Sequence, residues 1–208
     1  RLTPPEARQA QAMPDQDRQA TPGANGEPRH NLSFAAIPPP EISARMAEVW
    51  QSLGTGERFR EPTLHLSIHA VAAGHELDPL LVQRAQQAAA TLRTAPFDLY
   101  LDRLRRFEAS HALVIATGKP SRSLSEIAAD LHFACQARGI TASRSRKPNP
   151  HVTLAYGPGF AGIRMLETPI RWRIEEITLI DSIFGESRHV EYGRWRLPTD
   201  REQEGFGF

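Results

Sequence analysis

A single cysteine, Cys135, stands in 208 residues. That excludes an intramolecular disulfide and a cysteine-based zinc site, and it fits a reducing compartment. No apolar run reaches the roughly 18 residues a membrane-spanning helix needs. The first residues lack the apolar core of a secretory leader, so a cytoplasmic protein is the expectation. An excess of one charge is missing too: 25 Lys and Arg stand against 24 Asp and Glu, a formal +1. Affinity for a polyanion would have to come from a local patch, not from the whole molecule. Residues 1–28 have almost no aliphatic content, while Pro4, Pro5, Pro14, Pro22 and Pro28 are spread through Gln, Asp, Arg and Gly. Such a segment buries too little surface to offset its ordering entropy, and it is read as an extension. A domain is expected over 29–197, followed by a polar tail over 198–208.

Within that domain the period of the apolar residues assigns the elements. Asn31 to Ile37 alternates as a strand that Pro38-Pro39-Pro40 ends. Ile42, Met46, Val49 and Leu53 recur at helical spacing before Gly54. Thr63 to Ala73 has a period of two, which places His65, Ser67 and His69 on one strand face and Leu64, Leu66 and Ile68 on the other. Leu80 to Leu92 is an Ala/Gln-rich helix. Phe97–Leu101 and Ala112–Ala116 read as strands. Ser123 and Glu126 make a capping box for a helix that Gly139 ends. His151–Tyr156, Ile170–Ile183 and His189–Leu197 complete the strands. The order β-α-β-α-β-β-α-β-β-β favours an α+β sandwich with mainly antiparallel sheets and outer helices.

Two segments share one pattern: Leu64-His65-Leu66-Ser67-Ile68 and Pro150-His151-Val152-Thr153-Leu154. Eight histidines and 24 Ser and Thr give roughly 0.9 chance matches to a bare His-x-Ser/Thr pattern. Requiring an aliphatic residue on both sides of the hydroxyl lowers this to about 0.03 per chain, so two copies are hard to assign to coincidence. A lone strand histidine is usually a half-buried polar group; the pair carries the argument.

Imidazole titrates near neutrality and serves as proton acceptor or donor. Two imidazoles facing one phosphorus suit in-line displacement: one deprotonates the attacking water or hydroxyl while the other protonates the departing oxygen. Ser67 and Thr153 can donate hydrogen bonds to the non-bridging oxygens as charge develops. His65 and His151 are therefore the candidate catalytic pair, with Ser67 and Thr153 as candidate phosphate-binding residues and no metal or cofactor required. His69, Arg146 and Lys147 in the basic loop from Arg144, and Tyr156 as a stacking group, are candidate substrate contacts; the loop is equally a solvated turn. Arg103, Arg105 and Arg106 read as an exposed strand edge, and His75, His111, His132 and His189 as surface or structural.

At these residues the chain resembles the 2H phosphoesterases, in the branch of the 2′-5′ RNA ligases or RNA 2′,3′-cyclic phosphodiesterases. The likeness spans about 29–197 and rests on the two motifs, Ile37-Pro38-Pro39-Pro40-Glu41 and the closing Arg194-Trp195-Arg196-Leu197. It implies a bilobal α+β fold, each lobe giving one histidine motif to a central cleft. It also implies metal-free opening of a 2′,3′-cyclic phosphate to a 2′-phosphate, with His65 as proton donor and His151 as acceptor. RNA ends or small cyclic nucleotides would be the substrates and a monomer the acting form, without a membrane or an obligate protein partner. The chain departs from the branch after each motif. Ala70-Val71-Ala72-Ala73-Gly74 replaces a Phe-Leu-Gly turn, and Ala155-Tyr156-Gly157 stands where a basic residue is common. Two other readings stay open: a nucleotide- or RNA-binding module without turnover, and a metal site built on His65, His69 and His151.

Overall fold

The computed structural model describes residues 29–141, 149–157, 159, 161–183 and 186–199, and among these it has eight strands and three α-helices. In chain order they are β1 (His30–Ala36), α1 (Pro40–Gln51), β2 (Leu66–Gly74), α2 (Pro79–Ala89), β3 (Phe97–Phe107), β4 (Ala112–Ala116), α3 (Arg122–Gln136), β5 (His151–Tyr156), β6 (Ile163–Ile174), β7 (Glu176–Ile183) and β8 (Arg188–Arg196). Pro40 and Pro79 open their helices in the first turn, where a missing N–H costs nothing. Asp78 caps α2 by accepting from the Leu80 N–H. The cap of α3 is Ser121, which accepts from the Leu124 N–H, and not Ser123; the helix begins earlier than a capping box at Ser123 requires.

All pairings are antiparallel, in one sheet of order β6-β3-β4-β5-β2-β1-β7-β8. The α+β expectation holds. The order is symmetric about the β5/β2 junction, so each half has four strands and supplies one β-α-β unit, β1-α1-β2 or β4-α3-β5. The helices cross over: α1 packs on β5 and β6 of the other half, and α3 packs on β2 and α2. Leu32, Phe34, Leu66, Leu113, Ile115, Val152, Leu154 and Trp172 belong to the one large core beneath the helices. A smaller apolar cluster of Phe107, Ala112, Val114 and Ala116, with Tyr156 against it, lies on the opposite face.

The single strand expected over Ile170–Ile183 is two, β6 and β7, divided at Glu175. β6 also starts well before Ile170. Its first half is mostly exposed, Ile163 and Met165 included, and it runs into Pro169 along the sheet edge, where a proline interrupts little pairing. Opposite Asp102 the register jumps from Leu101↔Ile170 to Arg103↔Met165, and Pro169 falls in the looped-out stretch. β3, in turn, is interior at its basic stretch, where Arg103 and Arg105 pair with β6 on one side and β4 on the other and Arg106 pairs with β4. The reading of Arg103, Arg105 and Arg106 as a sheet edge is thereby corrected.

Candidate active site

The two halves meet where β2 pairs with β5, Leu66 opposite Val152. Both side chains are fully buried on the helix face. Continuing this antiparallel register places His65 opposite Thr153 and Ser67 opposite His151. Neighbouring residues of a strand alternate between faces, so the two histidines and the two hydroxyls share the face away from the helices. An approximate two-fold axis through the Leu66/Val152 pair relates one motif to the other. His65 and His151 are diagonal neighbours, with backbones about 7–8 Å apart for this geometry. That backbone spacing is wide enough to take one phosphate between the two side chains.

Each imidazole is held alike. Nδ1 of His65 bonds the Thr63 carbonyl at 3.0 Å, and Nδ1 of His151 bonds the Asn149 carbonyl at 2.6 Å, in both cases two residues back. A carbonyl only accepts, so Nδ1 carries the proton, and in the neutral ring the lone pair is on Nε2. Both rings are in the tautomer that presents Nε2 for proton transfer. A bulge follows each motif as well. Ile68 is the extra residue between the Ala35↔Ser67 and Phe34↔His69 pairs, and Leu154 between Val114↔Thr153 and Leu113↔Ala155.

A bulge reverses which face later residues occupy, and this decides two of the candidate contacts. His69 is turned to the helix face. It is buried at 7 % exposure, and its ring is 5.6 Å from that of His132 on α3. Burial, and secondarily His132, lower its pKa to about 4. The expectation that His69 shares a face with His65 and Ser67 is thus corrected, and His65, His69 and His151 do not converge on one point. The second bulge does the reverse for Tyr156, which joins the Phe107, Ala112, Val114 and Ala116 cluster on the face of His151 and Thr153. Thr153 is buried and Ser67 exposed. Arg146 and Lys147 lie outside the described residues.

Other groups complete the surroundings. The Phe107 ring meets His151 edge-on at 4.9 Å. His189, from the last strand, meets His65 edge-on at 4.7 Å. Burial, then the neighbouring His65 and Arg60, push the His189 pKa down to about 3, so this third imidazole is neutral near pH 7. His189 also lines a cavity of about 190 Å³, with Glu61, Leu64, Glu191 and Arg194 among its walls. The segment leading into β2 is tied across the junction. The Arg60 N–H donates to the Leu154 carbonyl at 2.9 Å, and its guanidinium donates to the Tyr156 hydroxyl at 3.1 Å and lies 4.9 Å from the centre of that ring. Glu57 accepts from Arg106 at 3.0 Å and from the Gly159 N–H at 2.7 Å. The Gly157 backbone passes so close that a Cβ there would lie 2.6 Å from the Glu57 carboxylate. The sequence reading took His189 as surface or structural and gave no notice of Arg60 or Glu57, because none belongs to a repeat and each arrives by tertiary folding alone; the contact with His65 places His189 beside the motif instead. Among the described residues no group of three or more His, Cys, Asp or Glu is placed to hold a metal ion, and no helix is long and apolar enough to cross a membrane.

A family model, that of the 2′-5′ RNA ligase superfamily, matches residues 38–183. Among solved structures, E. coli LigT complexed with 3′-AMP is similar over 82 % of this chain and 99 % of that one, with a TM-score of 0.69 at 22 % identity. A crystal structure described as a phosphoesterase has a TM-score of 0.67 at 23 % identity over the same shares of the two chains. TT0787 of Thermus thermophilus has a TM-score of 0.64 at 16 % identity, again over 82 % and 99 %. At these identities the likeness establishes the fold. No curated protein matches the chain in sequence.

Proposed function

The chain belongs to the 2′-5′ RNA ligase superfamily, and from that membership we propose that it is a cyclic phosphodiesterase that opens 2′,3′-cyclic phosphates of RNA ends or nucleotides to 2′-phosphates. The observation that carries this reading is the register at Leu66 and Val152, which sets His65, Ser67, His151 and Thr153 on one face about a two-fold axis. That E. coli LigT is seen with 3′-AMP supports a nucleotide as ligand.

In the reaction, Nε2 of His151 accepts a proton from water as its oxygen bonds to phosphorus. The P–O3′ bond breaks on the opposite side, and Nε2 of protonated His65 gives its proton to the departing 3′-oxygen. The product is a 2′-phosphate with a free 3′-hydroxyl; one water is consumed, and each imidazole ends in the state from which the other began. The direction of the pair follows the resemblance and not the symmetry of the site. Thr153 and Ser67 donate to the non-bridging oxygens, whose charge grows in the transition state. With a 5′-hydroxyl in place of water as the attacking group, the same forward steps make a 2′-5′ linkage and free the 3′-hydroxyl; run backwards, they cleave that linkage and restore the cyclic phosphate. Proton transfers of this kind each contribute about 10²–10⁴-fold, and they require one imidazole protonated and one neutral. A bell-shaped pH dependence is therefore expected.

The test is incubation with 2′,3′-cyclic mononucleotides and cyclic-ended oligoribonucleotides in the presence of a chelator, followed by identification of the phosphate isomer. Release of 2′-phosphate supports the reading. A 3′-phosphate product, or turnover that the chelator abolishes, overturns the mechanism. Binding of 2′-phosphates without hydrolysis favours the binding-module alternative.

A further inference from the structure

We infer that Arg60, held against Tyr156 from a separate loop, is the fixed cation that binds the phosphate group of the ligand in the cleft. The inference rests on the phosphate-binding reading of this cleft but not on turnover. A phosphate diester or monoester brought between His65 and His151 carries negative charge, which the hydroxyls of Ser67 and Thr153 can bond but not neutralise. The two motif strands hold no lysine or arginine on their shared face: β2 offers Ser67 and Ala70 there, and β5 offers His151, Thr153 and Tyr156. Apart from the titrating charge of a protonated His65, a permanent cation must come from elsewhere in the fold.

Arg60 meets the requirement on three independent grounds. Its backbone is anchored beside the site: its N–H donates to Leu154, next to Thr153, and its carbonyl accepts from the Thr63 N–H at 2.9 Å. Thr63 in turn holds Nδ1 of His65, so one short segment positions the cation and the imidazole together. Its side chain is aimed by the Tyr156 ring and hydroxyl, and its charge is felt at His189, the ring in contact with His65. Finally, no carboxylate among the described residues pairs with it. Arg103, Arg106, Arg122, Arg171, Arg188 and Arg194 each pair with a carboxylate within 3.0 Å, whereas among the described residues the Arg60 guanidinium has only the tyrosine hydroxyl as a polar partner. A guanidinium stacked on an aromatic ring keeps its outward N–H donors in a planar fork that matches two oxygens of a phosphate. The bulge at Leu154 makes this possible, because without it Ala155 and not Tyr156 would face the cleft.

The experiment is calorimetric titration of the full chain with adenosine 2′-phosphate, inorganic phosphate and adenosine. Arg60→Gln is expected to weaken adenosine 2′-phosphate binding at least tenfold relative to the unmodified protein. Arg60→Lys should recover part of the loss. Arg45→Gln, on the exposed side of α1, controls for net charge and should bind as the unmodified protein does. Weaker binding by Arg60→Gln with adenosine affinity and melting temperature preserved supports the assignment. Binding within twofold of the unmodified protein overturns it, as does an equal loss for adenosine with no recovery by lysine, which would mark a structural role. If the unmodified protein binds 2′-phosphates through Arg60 but hydrolyses no cyclic phosphate, only the catalytic reading fails. If it hydrolyses them and Arg60→Gln does so equally well, only the present inference fails.

Discussion

The two halves of the sheet repeat a backbone but not its side chains, and the differences fall where they matter for chemistry. Each half presents a histidine whose Nδ1 is bonded two residues back, a hydroxyl two residues on, and a bulge immediately after. Beyond the bulge they part. The cleft-facing position is Ala70 in the first half and Tyr156 in the second; the helix-facing position is His69 in the first and Ala155 in the second. The ring against the imidazole is His189 for His65 and Phe107 for His151. Under the proposed mechanism, in which one imidazole acts as acid and the other as base, a pseudo-symmetric backbone with asymmetric neighbours gives the pair matched geometry and different environments.

The severest way to break the comparison is to remove the imidazoles singly. His65→Ala and His151→Ala should each lower kcat by about 10²–10⁴-fold or more, with the double variant little worse than either, because the two act as a unit. Wild-type turnover by one of them would leave a single-histidine mechanism. Next come the hydroxyls. Thr153, at 8 % exposure, is fixed in place while Ser67 is exposed, so Thr153→Val should cost about 10²-fold in kcat and Ser67→Ala clearly less; steady-state kinetics on one substrate would rank them, and the opposite order would mean that burial does not set the contribution.

The helix-facing difference predicts acid sensitivity in the first half. His69 has a folded pKa near 4, below the ordinary value of about 6.5, so between these limits the unfolded chain binds more protons than the folded one. Its stabilising effect is present in full above pH 6.5 and is lost as the pH falls towards 4, about 3 kcal/mol in all. His69→Ala, which copies Ala155 of the other half, should flatten the fall in stability over that window in urea unfolding series, even though the cavity lowers stability at every pH. An unchanged slope would mean that His69 is not held neutral by its surroundings. The smallest effect belongs to the ring beside His65. His189→Phe gives His65 the kind of neighbour that His151 has and should leave kcat within about threefold, whereas His189→Ala, which lets the imidazole swing, should cost about tenfold. Equal rates for the two would show that the contact does not orient His65.

Much of this is legible in the sequence, for identifiable reasons. Ala112–Ala116 and His151–Tyr156 are bounded correctly because their apolar patterns end in turn residues, and the paired motifs stand out because their flanks match. The first half of β6 escapes a sequence reading because the alternation of Ile163 and Met165 is broken at once by Leu166, Glu167, Thr168 and Pro169, in an edge strand that buries none of them. Strict alternation puts His69 on the wrong face because it holds only until a bulge, and whether Ile68 bulges is decided by how β1 pairs with it. Tyr156 faces the cleft for the same reason, against the parity of its own strand.

The local pattern alone determined the element types, the two histidines and the hydroxyls beside them, because periodicity and motif are properties of a few neighbouring residues. Only the tertiary structure decided which strands adjoin, that Leu66 meets Val152 and so aligns one motif against the other, and that Arg60 and His189 arrive beside the two motifs while Glu57 pairs with Arg106 and Gly159. Those outcomes depend on contacts between segments dozens to more than a hundred residues apart, whose register is set by core packing and bulges and is written in no single stretch of chain.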